Sequence, residues 1–115
     1  MKEIEFKLPN GKKVTMRELT GLDQVITMRK FIGKSDEEKE FRVWNEIALC
    51  IVEIEGLPKP KGYEDLLPLS NKDLAALLLA YNNLNVLTPK EIEDLKSFFD
   101  SGLNSASSPK NAIKA

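Results

Sequence analysis

The chain has 115 residues, 42% of them apolar and 30% charged, the make-up of one ordinary globular domain rather than a disordered polymer. Its 17 basic and 18 acidic side chains leave a net charge of −1, which argues against the bulk phosphate neutralisation that nucleic-acid binding needs. With no histidine and one cysteine, Cys50, it cannot build a His-based triad, a Cys–His pair, a histidine metal site or an internal disulfide.

Ile4, Phe6 and Leu8 alternate with Glu3, Glu5 and Lys7, the period of a half-buried strand. Pro9-Asn10-Gly11 is a turn, and Val14 and Met16 resume the alternation between Lys13, Thr15 and Arg17. The pattern predicts a β-hairpin over residues 3–8 and 12–18. Its apolar side should dock on helices, leaving one open edge to pair with a strand from another chain. Thr15 is a candidate donor at that edge. Lys7, Lys12, Lys13 and Arg17 should lie on the outer face, deterring promiscuous pairing and attracting an acidic partner.

Thr20-Gly21-Leu22-Asp23 reads as a helix start, with Thr20 as cap and Asp23 at the third helical position. Leu22, Val25, Ile26, Arg29 and Ile32 form the expected core-facing stripe, and Gly33 the stop. Ser35-Asp36-Glu37-Glu38 is a capping box opening a second helix over 36–55. That helix carries Phe41, Trp44, Ile47, Ala48, Ile51 and Ile54 at spacings of three and four, and its second half is apolar nearly all round. It should be the most buried element, with Trp44 largely enclosed and Cys50 a small buried hydrophobe. Gly56 and the prolines 58 and 60 end it.

Ser70-Asn71-Lys72-Asp73 caps a third helix, with Leu74, Leu77, Leu78, Tyr81 and Leu84 as its stripe and Leu79 off it. Leu79 is therefore a candidate contact for a partner. Thr88-Pro89-Lys90-Glu91 starts a fourth helix expected to pack through Ile92, Leu95, Phe98 and Phe99 and to end at Gly102. The predicted fold class is α+β, mainly α: an N-terminal β-hairpin followed by four helices, in one domain over 1–102, with a flexible tail over 103–115. The tail should be disordered alone and order only on a partner.

The acidic clusters Asp36-Glu37-Glu38-Glu40 and Glu91-Glu93-Asp94 lie in first helical turns, where capping and the helix dipole account for them. No phosphate loop, dinucleotide glycine pattern or EF-hand loop is present. The sequence thus predicts no catalytic residue, no metal and no cofactor. Residues 1–34 hold eight basic and four acidic side chains, a balance of +4, and the remainder nine and fourteen, a balance of −5. Such a dipolar chain can stack head to tail on copies of itself, or meet partners of opposite sign at its two ends. Met1-Lys2-Glu3 leads into alternation rather than an apolar leader, and no apolar run approaches the ~20 residues that span a bilayer. The expectation is a cytoplasmic protein without membrane contact.

The stretch Leu8–Val25, with Arg17-Glu18-Leu19-Thr20-Gly21-Leu22-Asp23 at its centre, resembles small proteins of tailed-bacteriophage tail morphogenesis: the tail assembly chaperones and the T4-type baseplate hub assembly proteins. Ile51–Asn85 is similar to their helical half. The resemblance implies a non-enzymatic role in tail or baseplate assembly, as a chaperone or a virion subunit. It implies other tail or baseplate proteins as partners, with a homo-oligomer as a further possibility. It places the protein in the host cytoplasm during assembly, or in the virion tail. The competing expectation is a small cytosolic regulatory or nucleic-acid-associated helical domain.

Overall fold

The computed structural model describes the backbone of residues 1–106 and the surroundings of side chains through residue 101. The tail expected over 103–115 lies, beyond residue 106, outside the described residues. The chain falls into two compact units, Met1–Asn85 and a second from Val86 onward. It is an α+β fold, mainly α, in which a small antiparallel sheet precedes most of the helical residues.

In the first unit β1 (Glu3–Lys7) and β2 (Lys13–Arg17) form the predicted hairpin, paired from Glu3↔Arg17 to Lys7↔Lys13. Its turn closes with Leu8 donating to the Lys12 carbonyl at 2.9 Å and Gly11 donating to that of Leu8 at 2.8 Å. Gly11 has φ 89°, a conformation glycine adopts without steric cost. Asn10 at the tip donates through its backbone and side-chain nitrogens, both at 3.2 Å, to the buried carboxylate of Asp73. That pair ties the turn to the start of α4 (Asn71–Asn85).

The sheet has a third strand that the helical pattern concealed. The helix expected over 36–55 is instead a single turn α2 (Asp36–Lys39), α3 (Arg42–Cys50) and β3 (Ile51–Ile54). Ile51-Val52-Glu53-Ile54 is β-branched at three of four positions, and the free edge of β2 offers it a ladder. β3 therefore pairs antiparallel with β2, with a bulge opposite Thr15 and Met16, and makes β2 the central strand of the order β1-β2-β3. The break before α3 lets Phe41 stack on Tyr63, ring centroids 4.9 Å apart. Trp44 is half-buried against the core rather than largely enclosed. The core lies between the sheet and the helices: Leu8, Val14, Met16, Ile47, Cys50, Ile51, Leu66, Leu77 and Leu84 are all buried.

The largest departure from the sequence pattern is in α1 (Gly21–Phe31). Its buried residues are Asp23, Thr27 and Phe31, one face at intervals of four. The apolar stripe expected to pack inward, Leu22, Val25, Ile26 and Ile32, is exposed. In α4 the buried line is Asp73, Leu77, Ala80 and Leu84, while Leu74, Leu78 and Tyr81 are half-buried.

The second unit contains α5 (Pro89–Ala106). Thr88 and Glu91 form a reciprocal capping box: Glu91 N–H donates to the Thr88 hydroxyl at 3.1 Å and Thr88 N–H to the Glu91 carboxylate at 2.9 Å. The helix runs through Gly102 to Ala106. A glycine inside a helix costs about 1 kcal/mol and does not end it by itself. Ile92, Leu95, Phe98 and Phe99, expected to pack, are exposed.

Candidate protein-binding surface

Alternation of the β1–β2 ladder, fixed by the Leu8-to-Lys12 and Glu18-to-Lys2 backbone bonds, points the N–H and C=O groups of Glu3, Glu5 and Lys7 outward from β1. Lys7 is thus exposed at a real open edge. Thr15 is not: it stands on the central strand between Glu5 and Glu53, and β3 occupies the side expected to be free. Lys13 lies on the outer face within 4.0 Å of Glu5, and Lys12 reaches the Glu55 carbonyl at 3.5 Å. Four glutamates, 3, 5, 53 and 55, share this face with the basic groups, so the expected basic patch is a mixed, solvated surface. Leu79 is 64% exposed, as its place off the helical stripe predicts.

Arg17 does not lie open on the outer face but is engaged within its own chain. Its guanidinium grips the Asp23 carboxylate with two bonds, 2.6 and 3.1 Å, and donates to the carbonyls of Leu49 (2.8 Å) and Glu18 (2.9 Å). Asp23 also accepts from the Thr20 backbone N–H at 2.9 Å, completing a capping box with the Thr20 hydroxyl. Burial pushes the Asp23 carboxyl up, but the bonds from Arg17 and Thr20 together outweigh it and hold it below the ordinary carboxylate range. The Arg17 pKa is raised, chiefly by its hydrogen bond to Asp23. The segment Arg17–Asp23 is therefore a bracket joining β2, the start of α1 and the end of α3.

A second polar cluster holds the other end of α1. Asn45, buried on α3, donates to Thr27 at 3.0 Å and accepts from Lys30 Nζ and from the Tyr63 backbone, both at 3.1 Å. Lys30 also pairs with Glu64 at 2.5 Å and lies 4.8 Å from the centre of the Tyr63 ring. The Lys30 hydrogen bond is the main cause lowering the Glu64 pKa. Gly62 fits against this cluster: a Cβ there would come within 2.5 Å of Lys30 Nζ and 3.0 Å of Asn45 Oδ1.

These two clusters fix the rotation of α1. With Asp23, Thr27 and Phe31 inward, Leu22, Val25, Ile26, Met28 and Ile32 turn outward at 37–69% exposure. Met28 and Ile32 continue into a groove of about 500 Å³ shared with Val43 of α3, whose rim carries Lys39 and Arg42. Covering five such side chains would release roughly 1 kcal/mol each, comparable with the stability of a small domain. Exposed apolar side chains gathered on one helix make this face a candidate contact surface. Sequence patterning assigned Leu22, Val25, Ile26 and Ile32 to the core; the signal that could have corrected it is the Arg17–Asp23 pair straddling the helix cap.

Cys50 is buried, and burial pushes its thiol up to about 12, which leaves no nucleophile there. Among the described residues no group of three or more His, Cys, Asp or Glu is arranged to hold a metal, and no helix is long and apolar enough to cross a membrane. No protein-family model, curated protein or solved structure matches the chain.

Proposed function

We propose that this protein works without turnover, by binding other protein chains through the outward face of α1, in the assembly of a bacteriophage tail or baseplate. The observation that carries the binding role is the reversal of α1, which buries Asp23 and Thr27 and exposes Leu22, Val25, Ile26, Met28 and Ile32. A helix held that way by an ion pair and an asparagine cluster has its apolar surface available to a partner helix. The assignment to tail assembly, in the host cytoplasm or in the virion, is supported by the resemblance of Leu8–Val25 and Ile51–Asn85 to tail-morphogenesis proteins.

The test is co-expression of the chain with each of the tail-tube, tape-measure and baseplate-hub proteins of its own phage, followed by co-purification. One of them should be retained by the wild-type chain and lost with Ile26→Asp, a substitution at a position 43% exposed that the fold tolerates. Retention of none, or retention unaffected by Ile26→Asp and by Leu22→Asp, refutes the proposal.

A further inference from the structure

We infer that two copies of this chain join edge to edge through β1, pairing antiparallel about a two-fold axis at Phe6 so that their sheets become one. The inference is independent of the reading of α1 as a contact face and of the assignment to phage tails.

The sheet offers one usable open edge. On β1 the N–H and C=O groups of Glu3, Glu5 and Lys7 point away from β2, and all three residues are exposed. On β3 the Ile54 carbonyl already accepts from the Leu57 N–H at 3.2 Å, and Pro58 beyond it has no N–H to offer. A ladder partner for β1 has to be an extended strand. Among the described residues there is no further strand to supply it: β1, β2 and β3 all lie in this sheet, and α5 is a helix, whose backbone groups bond within it.

The charges of β1 select its own reverse as the partner. A second β1, turned round by a two-fold axis, can meet the first in several registers. With the axis at Ile4, Glu3 faces Glu5 of the second copy, in both directions. With the axis at Glu5, that carboxylate faces itself. With the axis at Phe6, Glu5 faces Lys7 in both directions and no like charges stand opposite. Phe6 turns its own N–H and C=O toward β2. The pair on the axis is therefore of the kind without hydrogen bonds, in which side chains approach most closely, while each flanking Glu5–Lys7 pair exchanges both of its N–H···O=C bonds. On the core side the same register sets Phe6 against Phe6 and Ile4 against Leu8. Ile4 and Phe6 are only half-buried in one chain, so the second copy covers apolar surface that the first leaves open. The contact is isologous and closes at two chains.

The experiment is sedimentation equilibrium of the full chain and of three variants, Glu5→Lys, Lys7→Glu and Ile26→Asp. All three positions are exposed, and circular dichroism melting curves matching the wild type establish that each variant is folded. Lys7→Glu puts a carboxylate opposite Lys13, so a loss of pairing there does not come from a weakened hairpin. The wild type should pass from the 13.0 kDa of one chain to two chains as concentration rises, and no further. Glu5→Lys and Lys7→Glu should each stay at one chain over that range, because each sets like charges in both flanking pairs. An equal mixture of these two should recover the two-chain species, since one variant then presents only cations and the other only carboxylates. Ile26→Asp, which leaves β1 untouched, should pair like the wild type. A wild type that stays at one chain at every concentration, or grows beyond two, overturns the inference. So does a charge variant that still pairs with itself, a mixture that remains at one chain, or an Ile26→Asp variant that no longer pairs. If the wild type stays at one chain while a tail protein still binds and Ile26→Asp abolishes that binding, this inference falls and the proposed function stands.

Discussion

Replacing Arg17 by alanine is the sharpest test of the bracket at the start of α1. Arg17 and Asp23 have side-chain exposures of 18% and 7%, so the pair is mostly out of water. The substitution removes a bidentate ion pair and the donor to the Leu49 carbonyl, and it leaves a carboxylate held only by Thr20. Breaking a buried pair on one side costs about 3–5 kcal/mol; the partial exposure of Arg17 puts the expected loss near the lower end, about 3 kcal/mol. In a unit of this size that lowers the Tm by roughly 12–24 °C. Urea unfolding of Arg17→Ala, Asp23→Ala and the double variant would measure it. The double variant should be more stable than the sum of the two losses predicts by at least about 1.5 kcal/mol. The pH dependence carries a second signature. Asp23 is depressed in the folded state, so its contribution is complete above its unfolded pKa and is lost as pH falls through the folded value. Without Arg17 the depression shrinks, and the acid loss of stability attributable to Asp23 should flatten. A loss below about 1 kcal/mol with an additive cycle would show that Arg17 is an ordinary surface cation.

Thr15→Pro should remove a ladder donor on the central strand and unfold or strongly destabilise the isolated protein, by about 3 kcal/mol, rather than weaken assembly alone; an unaffected melting curve would return β3 to the helix. Asn45→Ala should cost about 2–4 kcal/mol in chemical denaturation, since Thr27, Lys30 and the Tyr63 N–H all lose a partner; a loss under 1 kcal/mol contradicts the role given to that cluster. Cys50 should be inert to a thiol-specific maleimide at pH 8 in the folded protein and react on addition of denaturant, because burial keeps it protonated; fast labelling of the native protein is the opposing result.

Signals that act over a few residues were legible in the chain. The Asn10-Gly11 turn and the alternation on either side of it specified the hairpin, and Thr20, Ser35, Ser70 and Thr88 each start a helix where their hydroxyls can accept from the third residue on. Each of those choices is settled by groups within four positions of one another. The composition likewise determined that histidine chemistry and an internal disulfide are impossible. What the local pattern misjudged were choices between two adequate local states. Ile51–Ile54 carries apolar residues at spacings that fit a helix or a buried strand, and the edge of β2, more than thirty residues away, decided for the strand. In α1 the apolar stripe would by itself face the core. The paired guanidinium and carboxylate of Arg17 and Asp23, the bond from Arg17 to the Leu49 carbonyl and the Asn45–Thr27 contact turned the helix the other way. Leaving five apolar side chains of α1 half in water costs about 5 kcal/mol in all, whereas stranding the Asp23 charge costs about 3–5 kcal/mol and unpairing the buried Asn45 and Thr27 groups about 1–3 kcal/mol each on top of it. The tertiary structure therefore satisfied Asp23 first and left the apolar residues of α1 to the surface, which is why the candidate binding face appears only in three dimensions.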